Sequence, residues 1–210
     1  MIKPVIAIIA NGDALEPDQL QQRISGCDII IASDGAAESC RNAGIQPQYI
    51  IGDFDSISED LRRHFKHTRF LERQNQDFTD LQKSVNFALQ QQPSRLIILS
   101  PFGKRTDHAL ANVLFLQEYA KKTMLEIFDP YGKMRFLAAG RHEIQATPGQ
   151  TISFLALQPV TNLRLSGFRY DLAVDELPWF AGVSNVYENE IALVQFDKGQ
   201  LIMYEVSRDE

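Results

Sequence analysis

Asp53 and Asp55 stand one residue apart after the β-branched run Tyr49 to Ile51, which stops at Gly52. Two carboxylates so close repel each other unless something positive lies between them, so the pair points to a hard cation. Asp34 in Asp34-Gly35, and Asp77 and Asp80 in "NQDFTDLQKS", add further acidic groups. Carboxylates gathered at one place suit Mg²⁺, which keeps several waters and bridges to phosphates. Asp77 alone reads better as a helix or turn cap; Asp53 and Asp55 together read as ligands, since one cap cannot need both. The positive counterpart is "PFGKRTDHALANV". There Gly103 lets backbone approach a ligand, the helix starting near Thr106 offers free N–H groups, and Arg105 adds a fork suited to phosphate oxygens. Asp107 and His108 fall in its first turn, and a lone histidine there reads as structural rather than as a proton shuttle. The pattern G-x-x-x-x-G-K-[ST] is absent, which disfavours the P-loop nucleotide hydrolases.

The elements that must position these groups alternate over the first two thirds of the chain. Val5 to Ala10, Asp28 to Ala32, Tyr49 to Ile51, Arg95 to Leu99 and Met124 to Phe128 read as strands. Between them Pro17 to Ser25, Gly35 to Ala43, Ser58 to Lys66, Phe78 to Gln91 and Thr106 to Lys121 read as helices. Leu81, Val85 and Leu89 form the core stripe of the fourth, with Asp80, Lys83, Ser84 and Phe87 on the opposite face; Leu110, Val113, Leu114 and Gln117 form the stripe of the fifth. Strands buried on both faces and joined by helices predict a doubly wound, mostly parallel sheet, with ligands beyond the carboxyl ends of the strands. After about Ala138 alternation punctuated by Gly and Pro predicts a smaller all-β sandwich, including two strands, Ala192 to Gln195 and Leu201 to Val206, joined through Asp197-Lys198-Gly199. The expected division is therefore residues 1–138, α/β and catalytic, and residues 139–210, all-β.

A chain of 210 residues, 44% hydrophobic and 23% charged, is globular, and a net charge of -6 disfavours nucleic acid or an anionic membrane surface as partner. Cys27 and Cys40 read as ordinary semi-buried residues, which suits a reducing cytoplasm. No apolar run reaches membrane-spanning length.

Four segments, "SDGAA" (Ser33 to Ala37), "GDFDSI" (Gly52 to Ile57), "DFTDLQKS" (Asp77 to Ser84) and "GKRTDHALANV" (Gly103 to Val113), resemble the thiamine pyrophosphokinases (thiamine diphosphokinases) in order and approximate spacing. The resemblance continues through "LSGFRYDL" and "GVSNVY" and so covers nearly the whole chain. It implies an α/β domain followed by a β-sandwich, a homodimer, and Mg²⁺-dependent transfer of pyrophosphate from ATP to the hydroxyethyl group of thiamine, releasing AMP. Carried over residue by residue, it implies Asp53, Asp55 and Asp80 as metal and phosphate-handling carboxylates, and Arg105 and Asp107 as parts of the triphosphate site. It places Asp34, Gly35, Asp77, Thr79 and Lys83 at the nucleotide, together with Gly103, Lys104 and His108. Ser184 and Asn185 match a segment lining the thiamine pocket, supplied by the partner chain of the dimer. The chain departs from the family pattern at Ala36 and Ala37, and at Tyr170, where a tryptophan often stands; Trp179, its only tryptophan, is the other candidate for the aromatic wall.

Other readings use the same residues. A pyrophosphokinase acting on a pterin alcohol shares the acidic groups, although Ser184-Asn185 favours thiamine. A sugar-nucleotide glycosyltransferase also uses an Asp-x-Asp site, but the Gly103–Arg105 grip suits it poorly. A non-catalytic nucleotide-sensing module would keep the same binding residues.

Overall fold

The computed structural model describes residues 2–55, 57–74, 77–177 and 180–207. It divides into two compact units, Met1–Pro130 and Tyr131–Glu210. In the first, strands β1 (Val5–Ile9), β2 (Ile29–Ser33), β3 (Tyr49–Gly52), β4 (Arg69–Glu72), β5 (Arg95–Leu99) and β6 (Met124–Asp129) alternate with helices. Their order across the sheet is β6-β5-β1-β2-β3-β4, and every pairing is parallel. Helix α1 spans Pro17–Ile24, α2 Ala37–Asn42, α3 Glu59–His64, α4 Asp80–Gln90 and α5 Thr106–Ala120. Ile6, Ala7, Ile8 and Ile9 are fully buried, as a central parallel strand covered on both faces requires. The chain runs outward from β1 to β4, then returns to the other side of β1 to lay down β5 and β6. The loops after β1 and β5 therefore diverge at a topological switch point, the place where open α/β sheets bind ligands.

Three local expectations are corrected. Strand β4, with charged residues at both ends and only partial burial, is an edge strand that the sequence pattern does not announce. On α4, Lys83 and Ser84, expected on the face opposite the core stripe, are buried with it. Their row and the Leu81–Val85 row are neighbours about 100° apart, not opposites, and the sheet covers both; the Ser84 hydroxyl lies 3.3 Å from that of Ser33 at the end of β2. On α5 the expected stripe is only partly buried: Gln117 is buried, but Leu110 and Leu114 are 62% and 60% exposed, and Asn112 and Leu116, outside that stripe, are buried. This helix carries apolar residues all round, so periodicity cannot choose a face. The Asn112 amide chooses it by donating to the Pro101 carbonyl at 2.6 Å.

The second unit contains β7 (Gly132–Gln145), β8 (Thr151–Ala156), β9 (Val160–Ser166), β10 (Leu172–Leu177), β11 (Phe180–Val186) and β12 (Ile191–Val206). Ala138 lies inside β7, which starts directly after the turn at Pro130–Tyr131. The two strands expected around Asp197-Lys198-Gly199 are one, β12, 16 residues long. It pairs antiparallel with β7 throughout, with β9 through its first half and with β8 through its second. The expected turn is instead a register shift between Phe196 and Gln200. There Gly199 has φ +97°, and a Cβ would meet the Pro159 carbonyl at 2.7 Å. Phe154, Leu163, Val194 and Leu201 are among the fully buried residues on which these strands converge.

The α5 orientation makes a direct prediction. In urea unfolding Leu116→Ala costs about 2–5 kcal/mol, as a core truncation does. Leu114→Ala, on the exposed row, stays within about 0.5 kcal/mol. Equal losses would overturn this orientation of the helix.

Candidate active site

Strand β2 ends at Ser33, and Asp34 opens a short 3₁₀ turn, Asp34–Ala36, with its side chain largely buried. Strand β3 ends beside it at Gly52. A Cβ on Gly52 would lie 2.5 Å from the Asp34 carboxylate, so the glycine is required by close approach. The chain then turns at Phe54, φ 67°, whose N–H donates to Asp34 Oδ2 at 3.0 Å. The third acid comes from the start of α4. Thr79 caps that helix, its hydroxyl accepting from the Gln82 N–H while the Gln82 side chain accepts from the Thr79 N–H. The cap fixes Asp80 as the first helical residue, facing the ends of β2 and β3.

Asp34, Asp53 and Asp80 thereby bring carboxylate oxygens within 4.8 Å of one another. Burial pushes the Asp34 carboxyl up to about 6, with the negative charges of Asp80 and Asp53 adding to the rise and the N–H groups of Phe54 and Gly35 opposing it. One cation is already at hand: Lys83, its side chain only 6% exposed, donates to Asp80 Oδ1 at 2.9 Å. A set of convergent, anionic, oxygen-only donors fits a hard divalent ion such as Mg²⁺ and does not suit the softer metals that prefer sulfur or imidazole.

Facing the acids is the loop after β5. Ser100 and Lys104 adopt left-handed conformations, φ 57° and 58°, and so does Gly103, φ 96°. A Cβ on Gly103 would meet the Asp13 carboxylate at 2.1 Å, and its φ of 96° is one that L side chains rarely adopt, so the position favours glycine. The loop after β1 braces it. Gly12 N–H donates to the Ser100 carbonyl at 2.8 Å, Asp13 N–H to the Phe102 carbonyl at 2.6 Å, and Lys104 Nζ to Asn11 Oδ1 at 2.6 Å. Arg105 occupies the N-cap of α5 and pairs with Asp107, its Nε donating to Oδ1 at 3.1 Å. That hydrogen bond lowers the Asp107 carboxyl to about 2 and raises the guanidinium further.

Acids and cations line one cleft of about 490 Å³, which also takes in Asp77, Thr79, Gly103 and His108. Asp55 is not brought to the cluster: it is exposed in the turn after β3, its N–H donating to Asp53 Oδ1 at 3.3 Å. Its place in the triad is taken by Asp34. Gly35 packs against the Asn11 side chain rather than lining the cleft. His108 is exposed on the cleft wall. Asn11, Gly12, Ser33 and Asn112 also line the cleft and were not singled out from sequence. The one available signal was Asn11-Gly12-Asp13 as the break directly after an apolar strand.

In the second unit Tyr170 is 64% exposed, which removes it from that unit's core. Ser184 is exposed with φ 62°, its N–H donating to Ser153 Oγ at 3.0 Å. Asn185 is buried, and its side chain is bonded to the backbone of Tyr170. Trp179 lies outside the described residues.

Comparison with known proteins places both units. Residues 20–128 match the family described as "Thiamin pyrophosphokinase, catalytic domain", and residues 141–201 match "Thiamin pyrophosphokinase, vitamin B1 binding domain". The thiamine pyrophosphokinase of Bacillus subtilis (strain 168) is 29% identical over 181 residues, 82% of this chain and 85% of that protein. A crystal structure of the thiamine pyrophosphokinase from Bacillus subtilis superposes with a TM-score of 0.85 at 26% identity, covering 98% of this chain and 100% of the other. The yeast thiamin pyrophosphokinase structure shares the fold at 16% identity, with a TM-score of 0.81 over 99% of this chain and 87% of the other. With its first match covering more than half of the residues and both matches falling in the expected order, the chain belongs to the thiamin pyrophosphokinase family.

Proposed function

We propose that the chain transfers pyrophosphate from ATP to the hydroxyl of thiamine, giving thiamine diphosphate and AMP. The observation that carries this reading is the cleft at the switch point, in which Asp34, Asp53 and Asp80 face the Gly103–Arg105 loop. The alcohol must attack the β-phosphorus in line with the oxygen bridging to the α-phosphate. The barrier is mainly one of charge and positioning, which is what such a cleft supplies.

Asp34, Asp53 and Asp80 would hold Mg²⁺, and Asp55, exposed beyond them, is assigned to the same set through water. Bound Mg²⁺ supplies neutralisation of the phosphate oxygens. Lys83 offsets the charge of Asp80 and keeps its carboxylate oriented. Lys104, Arg105 and the free N–H groups at the start of α5 hold the triphosphate, and Arg105 can exchange its exposed partner Asp107 for a phosphate oxygen. Asp77, Thr79 and His108 on the wall confine the nucleotide. In the second unit Tyr170 presents its ring to the thiamine cation, beside Ser184. The family resemblance further supports a homodimer in which this surface serves the catalytic unit of a second chain. Cys27 and Cys40, both unbridged, support a cytoplasmic setting, and among the described residues no helix is long and apolar enough to cross a membrane. The direct assay is purified protein with ATP, Mg²⁺ and thiamine; formation of ADP in place of AMP would sink the reading.

Asp53→Asn and Asp80→Asn each remove a charged ligand without changing volume, and each lowers kcat by at least about a hundredfold with the fold intact by circular dichroism. Near-native turnover of either at saturating Mg²⁺ would remove that residue from the set. Arg105→Ala raises the ATP KM by about tenfold and leaves the thiamine KM alone, and Arg105→Lys recovers only part of the loss because a lysine cannot form the bidentate fork. Initial-rate measurements with each substrate varied decide it. Tyr170→Phe is nearly silent, whereas Tyr170→Ala raises the thiamine KM by about five- to thirtyfold, the loss of about 1–2 kcal/mol of cation–aromatic contact. An unchanged thiamine KM in Tyr170→Ala would move the wall elsewhere.

A further inference from the structure

We infer that Asn185 is a positioning residue for Tyr170 and does not itself contact the substrate, an inference that rests on the thiamine reading of the second unit. Asn185 is 1% exposed, which leaves it no open side toward a ligand. Its Oδ1 accepts the N–H of Tyr170 at 3.1 Å and that of Val186 at 2.8 Å. Its Nδ2 donates to the Tyr170 carbonyl at 2.9 Å. Both backbone groups of Tyr170 are thus satisfied by one side chain, which does for this residue what a neighbouring strand does elsewhere in a sheet. Both acceptor sites of the amide oxygen are occupied, so a substrate donor would have to displace a backbone N–H to reach it.

The strand is built to turn this side chain inward. Between Ala181 and Asn185 the pairing of β11 with β8 loses register, and Gly182 and Ser184 take φ values of 67° and 62°. A bulge of this kind re-aims the side chain that follows it. Asn185 points into the unit, while Val183 stays 57% exposed. The turn that carries Tyr170 is pinned on its other side. Phe168 stacks on buried Tyr187 with ring centroids 5.3 Å apart, its N–H donates to Asp171 Oδ1 at 3.0 Å, and Arg169 N–H donates to the Val186 carbonyl at 2.8 Å. Within this turn the Phe168 ring is buried and the Tyr170 ring is exposed, and Asn185 fixes the backbone from which the latter projects. Replacing the amide takes a partner from three backbone groups, the Tyr170 N–H and carbonyl and the Val186 N–H, and frees the ring to leave the orientation in which it meets its ligand.

A double-mutant cycle tests the inference. Wild type, Asn185→Ala, Tyr170→Ala and the double variant are compared for thiamine KM, ATP KM and melting temperature. Asn185→Ala raises the thiamine KM by about tenfold at unchanged ATP KM, and in the Tyr170→Ala background it adds nothing further. Multiplying effects would show that Asn185 touches thiamine independently and would overturn the inference, as would an unchanged thiamine KM in Asn185→Ala while Tyr170→Ala raises it. If neither single variant moves the thiamine KM while turnover persists, the thiamine-wall reading itself fails. Should Asn185→Ala not fold, Asn185→Asp replaces it in the cycle: it keeps an oxygen for the two N–H groups, loses the donor to the Tyr170 carbonyl, and shows a smaller rise that likewise vanishes without Tyr170. A rise that persists without Tyr170 overturns the inference.

Discussion

Mutual repulsion among Asp34, Asp53 and Asp80 is the constraint around which the first unit's binding edge is arranged. Two like charges about 4 Å apart cost about 4 kcal/mol at the effective dielectric of a protein surface. That is several times what an exposed ion pair returns. Lys83 meets part of this demand from a buried position. Burial and the neighbouring acids leave Asp34 partly able to hold a proton near neutrality. Gly52 yields its side-chain space to Asp34, Phe54 enters a left-handed turn to donate to it, and Thr79 caps α4 so that Asp80 arrives at the same point. Each of these choices costs local stability or freedom, and all converge on a place for a cation.

The cationic side answers with rigidity in the backbone and freedom in the side chains. Loops from the two sides of the switch point brace one another through Gly12, Asp13, Ser100 and Phe102, where no larger residue than glycine fits at position 12 without meeting the Phe102 carbonyl. Arg105 and Asp107, by contrast, are both mostly exposed. A pair in water contributes little to stability, so its exchange for an arriving anion is cheap. The frame is fixed and the recognising group is not.

Much of this was legible in the sequence for physical reasons. Buried parallel strands read as continuous apolar runs, so β1, β2, β3, β5 and β6 announce themselves, as do the acids and the Gly103–Arg105 loop at strand ends. What was missed depended on contacts distant in sequence. Edge strand β4 lacks the apolar run because one of its sides has no neighbour. The face of α5 is set by Asn112 reaching the Pro101 carbonyl, a bond no periodicity encodes. Asp34 displaces Asp55 from the cluster because β2 and β3 lie side by side, whereas the spacing of Asp53 and Asp55 places successive carboxylates on a turn that points them apart. Asn185 is legible as half of a motif, but the bulge that turns it inward is a property of how β11 pairs with β8.

Strand β12 has a kinetic consequence. It is the shared partner of β7, β8 and β9, yet it follows all three in chain order. The earlier strands leave the ribosome with their common template still unsynthesised, so this unit cannot close progressively by local hairpins. Its rate-setting step is a search between segments far apart along the chain, which slows folding and prolongs the exposure of unpaired strand edges to other nascent chains.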